Sequence, residues 1–390
     1  MRGNPTISDR EFDQRVKQVI RSHFHMISSS ADHQQSEEAY HAGKFQLPNP
    51  AGKAGGACTS AFLQAMYQRG EGANWVETLQ EMHDILQGMG YAQTPQLTSS
   101  RLIDVRKPLQ IVPAGSGRRR ALLIGINYVG QEGQLTACHN DVHNIREFLT
   151  EVYGFKESEM LILMDDARHN PPTRRNIEDA MIRLTRYSQP NDVAFVSFSG
   201  HGGNTRDTSG DEADGMDETL IPVDFRTEGH IVDDDILRLL VKPMMTDVHV
   251  TVLMDCCHSG TVLDLPYKFG ANDTRVQRES GFNLDQVHES QLTVGSYHAP
   301  GTVLSSWSLH GDKEKPPKEE KKSPKKSKKK KKAATFQPKK KKNKDMTKVE
   351  ENEQQEVGPK MVGGQAALPV RRASKKSAAP APGDKKCSVM

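Results

Sequence analysis

Apolar residues in the second half of the chain follow two alternating rhythms. Short runs at Ala121–Ile126, Met160–Leu163, Val193–Phe198 and Val248–Met254 have the length and β-branched content of buried strands. Between them lie segments of helical spacing. Asn140–Val152 places Val142, Ile145, Phe148, Leu149 and Val152 on one face; Thr173–Tyr187 and a shorter stretch near Asp234–Leu240 follow the same rule. Strand–helix alternation of this kind predicts a mostly parallel sheet with helices on both faces.

The first half reads differently. Phe24–Ile27 has the character of a strand. Thr59–Tyr67 and Trp75–Leu86 read as amphipathic helices, the second with Trp75, Leu79, Met82 and Leu86 on its buried stripe. Gln93–Ser99 is predicted as a loop leading to a short strand at Leu109–Val112. Pro113–Gly117 and the arginines after it read as a linker.

The pattern stops near Gly311. From there the chain is rich in Lys, Pro, Ser and Glu, and large apolar residues almost vanish. Such a segment buries too little surface to offset its ordering entropy, so 311–390 is predicted to be disordered. Hydrophobic residues make up only 35% of the chain, and mean hydropathy is −0.68, which agrees with a partly unfolded polypeptide. Net charge is +3, but it is unevenly placed: Lys318–Lys344 is dense in lysine and Asp207–Asp235 is acidic. Only Cys256 and Cys257 of the five cysteines are close in sequence, which is no disulfide framework. With no signal peptide or apolar span in view, a reducing, cytoplasmic setting is expected.

Two motifs carry the chemistry. SGHGG at Ser199–Gly203 and MDCCHSG at Met254–Gly260 each follow a predicted strand. Reacting groups of open α/β sheets collect beyond the carboxyl ends of such strands. His201 and Cys257 stand 56 residues apart, the spacing seen in caspase-type cysteine peptidases. A thiolate on Cys257 would attack a peptide carbonyl and His201 would protonate the leaving amine. Cys256 is the rival nucleophile, and His258 a weaker base because a sequence neighbour rarely faces the thiol. The backbone N–H groups of Gly202 and Cys257 are candidates for an oxyanion hole. Asp255 shares the strand face of Cys257.

Further segments extend the likeness: LLIGINY (122–128), LTACHNDVHN (135–144), GDEADGMDETLIPVDF (210–225), IVDDD (231–235) and DCCHSGTVLDLPY (255–267). With SGHGG, they resemble the large-subunit segment of metacaspases in order and spacing. The small-subunit pattern follows the large one in most of that family. Here its counterparts precede it: SSSADHQQSEEA (28–39), GGACTSAFLQAM (55–66) and YAQTPQLTSSRLIDV (91–105). The chain is therefore similar to the permuted, type III metacaspases. Ser29, Ser30 and His33 depart from the family pattern, which bears on substrate contacts from that loop.

The resemblance implies a circularly permuted, caspase-like three-layer α/β/α sandwich. Its segments would be 1–112 (small-subunit-like), 113–120 (linker), 121–267 (large-subunit-like and catalytic), an extension at 268–310, and the basic tail. It assigns Cys257 as nucleophile and His201 as its partner. It places Asp141 and Asp255 in the first specificity pocket, with Cys138 and Ser199 at the edge. Two carboxylates there would select Lys or Arg. On spacing alone, Asp141 is equally well a helix N-terminal residue complementing the dipole. The resemblance also implies Ca²⁺ held by Asp217, Asp233, Asp234 and Asp264, where residue chemistry alone allows a solvated acidic loop; the spacing is not that of an EF-hand.

The last four residues, Cys387-Ser-Val-Met390, form a C-a-a-X pattern of the farnesyl type behind a polybasic tract. Lipid on Cys387 plus the lysines would give the two signals that stable attachment to an anionic membrane needs. The lysine clusters are also compatible with nuclear targeting or nucleic-acid binding, but Phe336 is the tail's lone aromatic, which argues against base stacking. The expected function is a calcium-dependent cysteine endopeptidase cleaving after Arg or Lys. The alternative is a catalytically silent scaffold on the same fold that works through its basic tail.

Overall fold

Buried strands flanked by helices assemble into an eight-stranded mixed sheet. The computed structural model describes residues 8–28, 55–70, 72–206, 215–256, 260–279 and 282. All belong to the unit Met1–Glu314; the second unit, Lys315–Met390, lies outside the described residues.

Helix α1 (Asp9–Val19) leads into β1 (His23–Ser28), followed by α2 (Ala57–Arg69), α3 (Trp75–Gly88) and β2 (Gln96–Ser99). Then come β3 (Arg119–Gly125), α4 (Cys138–Glu151), β4 (Met160–Met164), α5 (Arg174–Tyr187) and β5 (Val193–Ser199). A small antiparallel sheet comes next, made of β6 (Gly202–Arg206), β7 (Met216–Leu220) and β8 (Ile231–Val232). Between β7 and β8 lies α6 (Phe225–Glu228), and α7 (Asp233–Ile236) runs into a wider π-type turn at Leu237–Val241. Strands β9 (His249–Asp255), β10 (Tyr267–Gly270) and β11 (Gln277–Arg278) complete the main sheet.

Its order is β11-β10-β2-β1-β9-β5-β3-β4. Strands β1, β9, β5, β3 and β4 run parallel, while β2, β10 and β11 join antiparallel. Alternate side chains of the parallel strands face opposite layers. Leu122 and Ile124 join a core with Ile177, Met181 and Leu184 of α5; Ala121 and Leu123 join one with residues of α2, α3 and α4. Both faces are thus covered, as the strand–helix alternation predicts, and continuous apolar runs are the consequence. Truncating Phe195, fully buried in the second core, to Ala costs about 3–5 kcal/mol.

Strands β9 and β10 are consecutive in the chain, yet β1 and β2 lie between them. β1 matches β9 residue for residue from His23↔His249 to Ser28↔Met254, and β2 pairs β10 from Ser99↔Tyr267 to Gln96↔Gly270. Removing the N-terminal segment would leave polar strand edges open in mid-sheet.

Three local expectations change. The strand lies at Gln96–Ser99, in the stretch read as a loop, whereas Leu109–Val112 forms none. The sequence QLTS carries little β signal; two flanking strands and complete burial make it a strand. Leu109 instead donates its N–H to Ala73. Part of the acidic region, at 216–220 and 231–232, pairs as strands of the small sheet rather than forming one loop. Among the described residues no helix is long and apolar enough to cross a membrane.

Candidate active site

The parallel strands β3, β5 and β9 end side by side, with Gly125 opposite Ser199 and Ser199 opposite Asp255. This edge carries the predicted chemistry. Gly125 closes β3 against α4: a Cβ there would stand 2.6 Å from the Cys138 carbonyl oxygen. Glycine thus lets α4 begin at the sheet edge, with Cys138 and Asp141 in its first turn.

Asp141, Ser199 and Asp255 come together with Gly56, the N-cap of α2. The Gly56 N–H donates to both Asp141 oxygens, at 2.8 and 3.0 Å, and the Thr59 N–H donates to Asp255 Oδ2 at 2.8 Å. The Ser199 hydroxyl donates to Asp141 Oδ2 at 2.5 Å. Asp141 is 2% exposed and Asp255 6%. Both are near Cys58 of α2, whose thiol is pushed well up by burial and then by the Asp255 and Asp141 charges. A thiol held protonated in this way is a poor nucleophile. Cys138, also buried, donates its N–H to Asn127 Oδ1 at 3.0 Å.

His201 leaves β5 at the same edge, and Gly202 opens β6 beside it. The imidazole Nε2 lies 2.7 Å from the Gly133 carbonyl oxygen. A carbonyl only accepts, so Nε2 carries the hydrogen and Nδ1 is left as the basic nitrogen. Cys256 is buried at the end of β9. Cys257, His258 and Ser259 lie outside the described residues, as does Cys387.

The four aspartates implied for calcium lie on β7 (Asp217), on α7 (Asp233 and Asp234) and in the loop between β9 and β10 (Asp264). Asp233, at the start of α7, accepts N–H bonds from Glu218 at 2.7 Å and Asp234 at 2.8 Å. Its carboxyl is pushed up to about 7 by burial, with the Asp217 charge adding to the effect. Lys242 is lowered by burial, while attraction to Asp234 and Asp264 opposes that. Asp264 stands in the left-handed region at φ 46°. Among the described residues no three His, Cys, Asp or Glu side chains are gathered closely enough to form a ready metal cage.

Two features are not visible as functional in the sequence. Tyr128, inside the LLIGINY stretch, is buried at φ 52°; its hydroxyl accepts the His201 N–H at 2.9 Å and donates to the Ile221 carbonyl at 2.6 Å. Its ring lies 4.7 Å from the His201 ring, centroid to centroid. Lys242 places a cation within electrostatic reach of Asp234 and Asp264. Neither carries a spacing signal: only an aromatic after a strand and a lone lysine are legible.

The family profile described as "Metacaspase, peptidase C14 domain" matches residues 119–266, from β3 to the residue before β10. Metacaspase III c of Phaeodactylum tricornutum is 45% identical over 282 residues, which cover 70% of this chain and 84% of that protein. Metacaspase-1A of Neurospora crassa is 50% identical over 189 residues, 47% of this chain and 40% of its own length. Metacaspase-1B of Aspergillus fumigatus is 54% identical over 187 residues, again 47% of this chain and 45% of its own length. The chain thus spans less than half of each fungal relative but most of the Phaeodactylum protein. By that similarity, and with a mostly parallel sheet whose strands β5 and β9 end in the His and Cys motifs, the chain belongs to the metacaspases, cysteine peptidases of the C14 family.

Proposed function

We propose that this metacaspase is a calcium-responsive endopeptidase that cleaves after Arg or Lys, working as a permuted single chain. The buried pair Asp141 and Asp255 at the sheet edge carries the reading. Two carboxylates beside a cysteine motif favour a cationic side chain and disfavour an acidic one. The interposed strands β1 and β2 support the permuted segments 1–112, 113–120 and 121–267.

In this scheme the Cys257 thiolate attacks the scissile carbonyl carbon. A C–S bond forms, and the carbonyl π electrons move to oxygen, which the Gly202 and Cys257 N–H groups receive. When the intermediate collapses the C–N bond breaks, and protonated His201 gives its proton to the departing amine. Water then attacks the thioester as His201 takes its proton, freeing the acid and the thiol. Tyr128 and the Gly133 carbonyl hold His201 in place for both transfers.

Asp217, Asp233, Asp234 and Asp264 would hold Ca²⁺. The donor chemistry suits a hard cation, since all four are carboxylates, and Ca²⁺ would have to draw them together. Bound Ca²⁺ would supply positive charge that ties these segments together. The lysine tail and Cys387 make an anionic membrane the proposed attachment surface, and Cys387→Ser should leave a membrane fraction for a soluble one.

An arginyl chloromethyl ketone tests the reading. It should alkylate Cys257 in the presence of Ca²⁺, as located by peptide mass spectrometry, and an aspartyl analogue should not. Modification of Cys256 in its place, or preference for the aspartyl reagent, contradicts the proposal.

A further inference from the structure

We infer that Gly56 is a specificity-positioning residue: with Gly55 it admits the first turn of α2 to the pocket, where backbone amides hold Asp141 and Asp255 as a pair for a Lys or Arg side chain. The inference rests on the proposed Arg/Lys specificity and adds residues from outside the matched catalytic segment.

Space is what demands glycine here. Gly56 has φ −59° and ψ 148°, a conformation open to any residue. A Cβ on it, however, would stand 2.1 Å from Asp255 Oδ2 and 3.0 Å from Asp141 Oδ2. A Cβ on Gly55 would stand 2.5 Å from Asp141 Oδ1. Both carboxylates therefore lie within 3.0 Å of one point, the position a Cβ on residue 56 would take. Two buried carboxylates this close disfavour each other's charge. The opposing influence is local. Gly56 and Thr59 donate their amides, Ser199 its hydroxyl, and the positive end of a 13-residue helix faces the pair. These donors are neutral, so they share the negative charge without cancelling it, and a cationic side chain still finds two carboxylates.

The arrangement is reciprocal. α2 has no side-chain cap of its own and no acidic residue in its first turn. Asp141 and Asp255, distant in sequence, serve as its cap. Docking of the N-terminal segment and assembly of the pocket are thus one event.

The test uses full-length wild type, Gly56→Ala, Asp255→Asn and the double variant. Gly56→Ala should lower kcat/KM for an Arg peptide by ~10-fold or more, chiefly through KM, since charge-assisted pairing is what is disturbed. The acid limb of its pH profile should move to higher pH. Alkylation of Cys257 by iodoacetamide, which needs no pocket, should keep its wild-type rate. Gly56→Ala should add little to Asp255→Asn, because the two act on one group. Should Gly56→Ala fail to fold, Gly55→Ala, which presses on Asp141 Oδ1 and the Ser60 hydroxyl, carries the same expectations with Asp141→Asn in place of Asp255→Asn in the double variant. Unchanged Arg hydrolysis, parallel loss of hydrolysis and alkylation, or fully multiplicative losses in the double variant would overturn the inference. A wild type without Arg or Lys preference overturns the parent reading with it; a normal wild type beside an unaffected glycine variant overturns this inference alone.

Discussion

Replacing Tyr128 by Phe removes one oxygen atom and two hydrogen bonds at the heart of the site. The hydroxyl accepts the His201 N–H at 2.9 Å and donates to the Ile221 carbonyl at 2.6 Å. The ring stays, so no large cavity forms; the loss is polar. Each buried group left without its partner costs about 1–3 kcal/mol, and partial relaxation puts the sum at roughly 2–4 kcal/mol. For a folded region of this size, each kcal/mol lowers Tm by about 2–4 °C, so a fall of roughly 4–16 °C is expected. The turn itself should survive. Asp165 accepts the Asn127 and Val129 N–H groups at 2.9 Å each, on either side of Tyr128. Burial opposes its charge, but those bonds and His139 hold its carboxyl below the usual range. His201 would lose its main-chain tether while keeping its bond to Gly133, so kcat should fall ~10-fold with KM little changed. Differential scanning fluorimetry and initial rates on one peptide suffice. A Tyr128→Phe enzyme with wild-type Tm and wild-type kcat refutes the reasoning.

Charge placement gives two further expected outcomes. His25 on β1 is held to about 4 by burial and by neighbouring His23 and His249, below its unfolded value of 6.5. A lowered histidine contributes stability above pH 6.5 that is lost as pH falls, by up to about 3 kcal/mol near pH 4. Urea midpoints of wild type should therefore fall more steeply than those of His25→Phe between pH 7 and 4.5, and parallel slopes contradict this. Lys242→Met removes a cation attracted to Asp234 and Asp264. It should tighten Ca²⁺ binding several-fold by calorimetry on the Cys257→Ala protein, and weaker binding would remove Lys242 from the site.

Much of this architecture can be read from residues alone, for a physical reason. β3, β5 and β9 are buried on both faces, so they read as unbroken apolar runs, and the small residues directly after β5 and β9 mark the reactive edge of the sheet. Asp141 is open to two readings from its sequence, helix dipole or pocket, and the structure shows a third partner: the amide of Gly56, 85 residues away. β2 is hidden because Gln96-Leu-Thr-Ser99 owes its strand form to β1 and β10. Tyr128 is hidden because its role depends on a left-handed backbone and on Ile221 and His201, neither of which is near it in sequence.

The most direct measurement is kcat/KM for matched fluorogenic peptides ending in Arg, Lys or Asp, with Ca²⁺ or with chelator, on wild type, Cys256→Ala and Cys257→Ala. Arg and Lys peptides should be cleaved and the Asp peptide spared, Cys256→Ala should retain most activity, and Cys257→Ala or chelator should abolish it. Preference for Asp, or activity surviving in Cys257→Ala but lost in Cys256→Ala, would contradict the account.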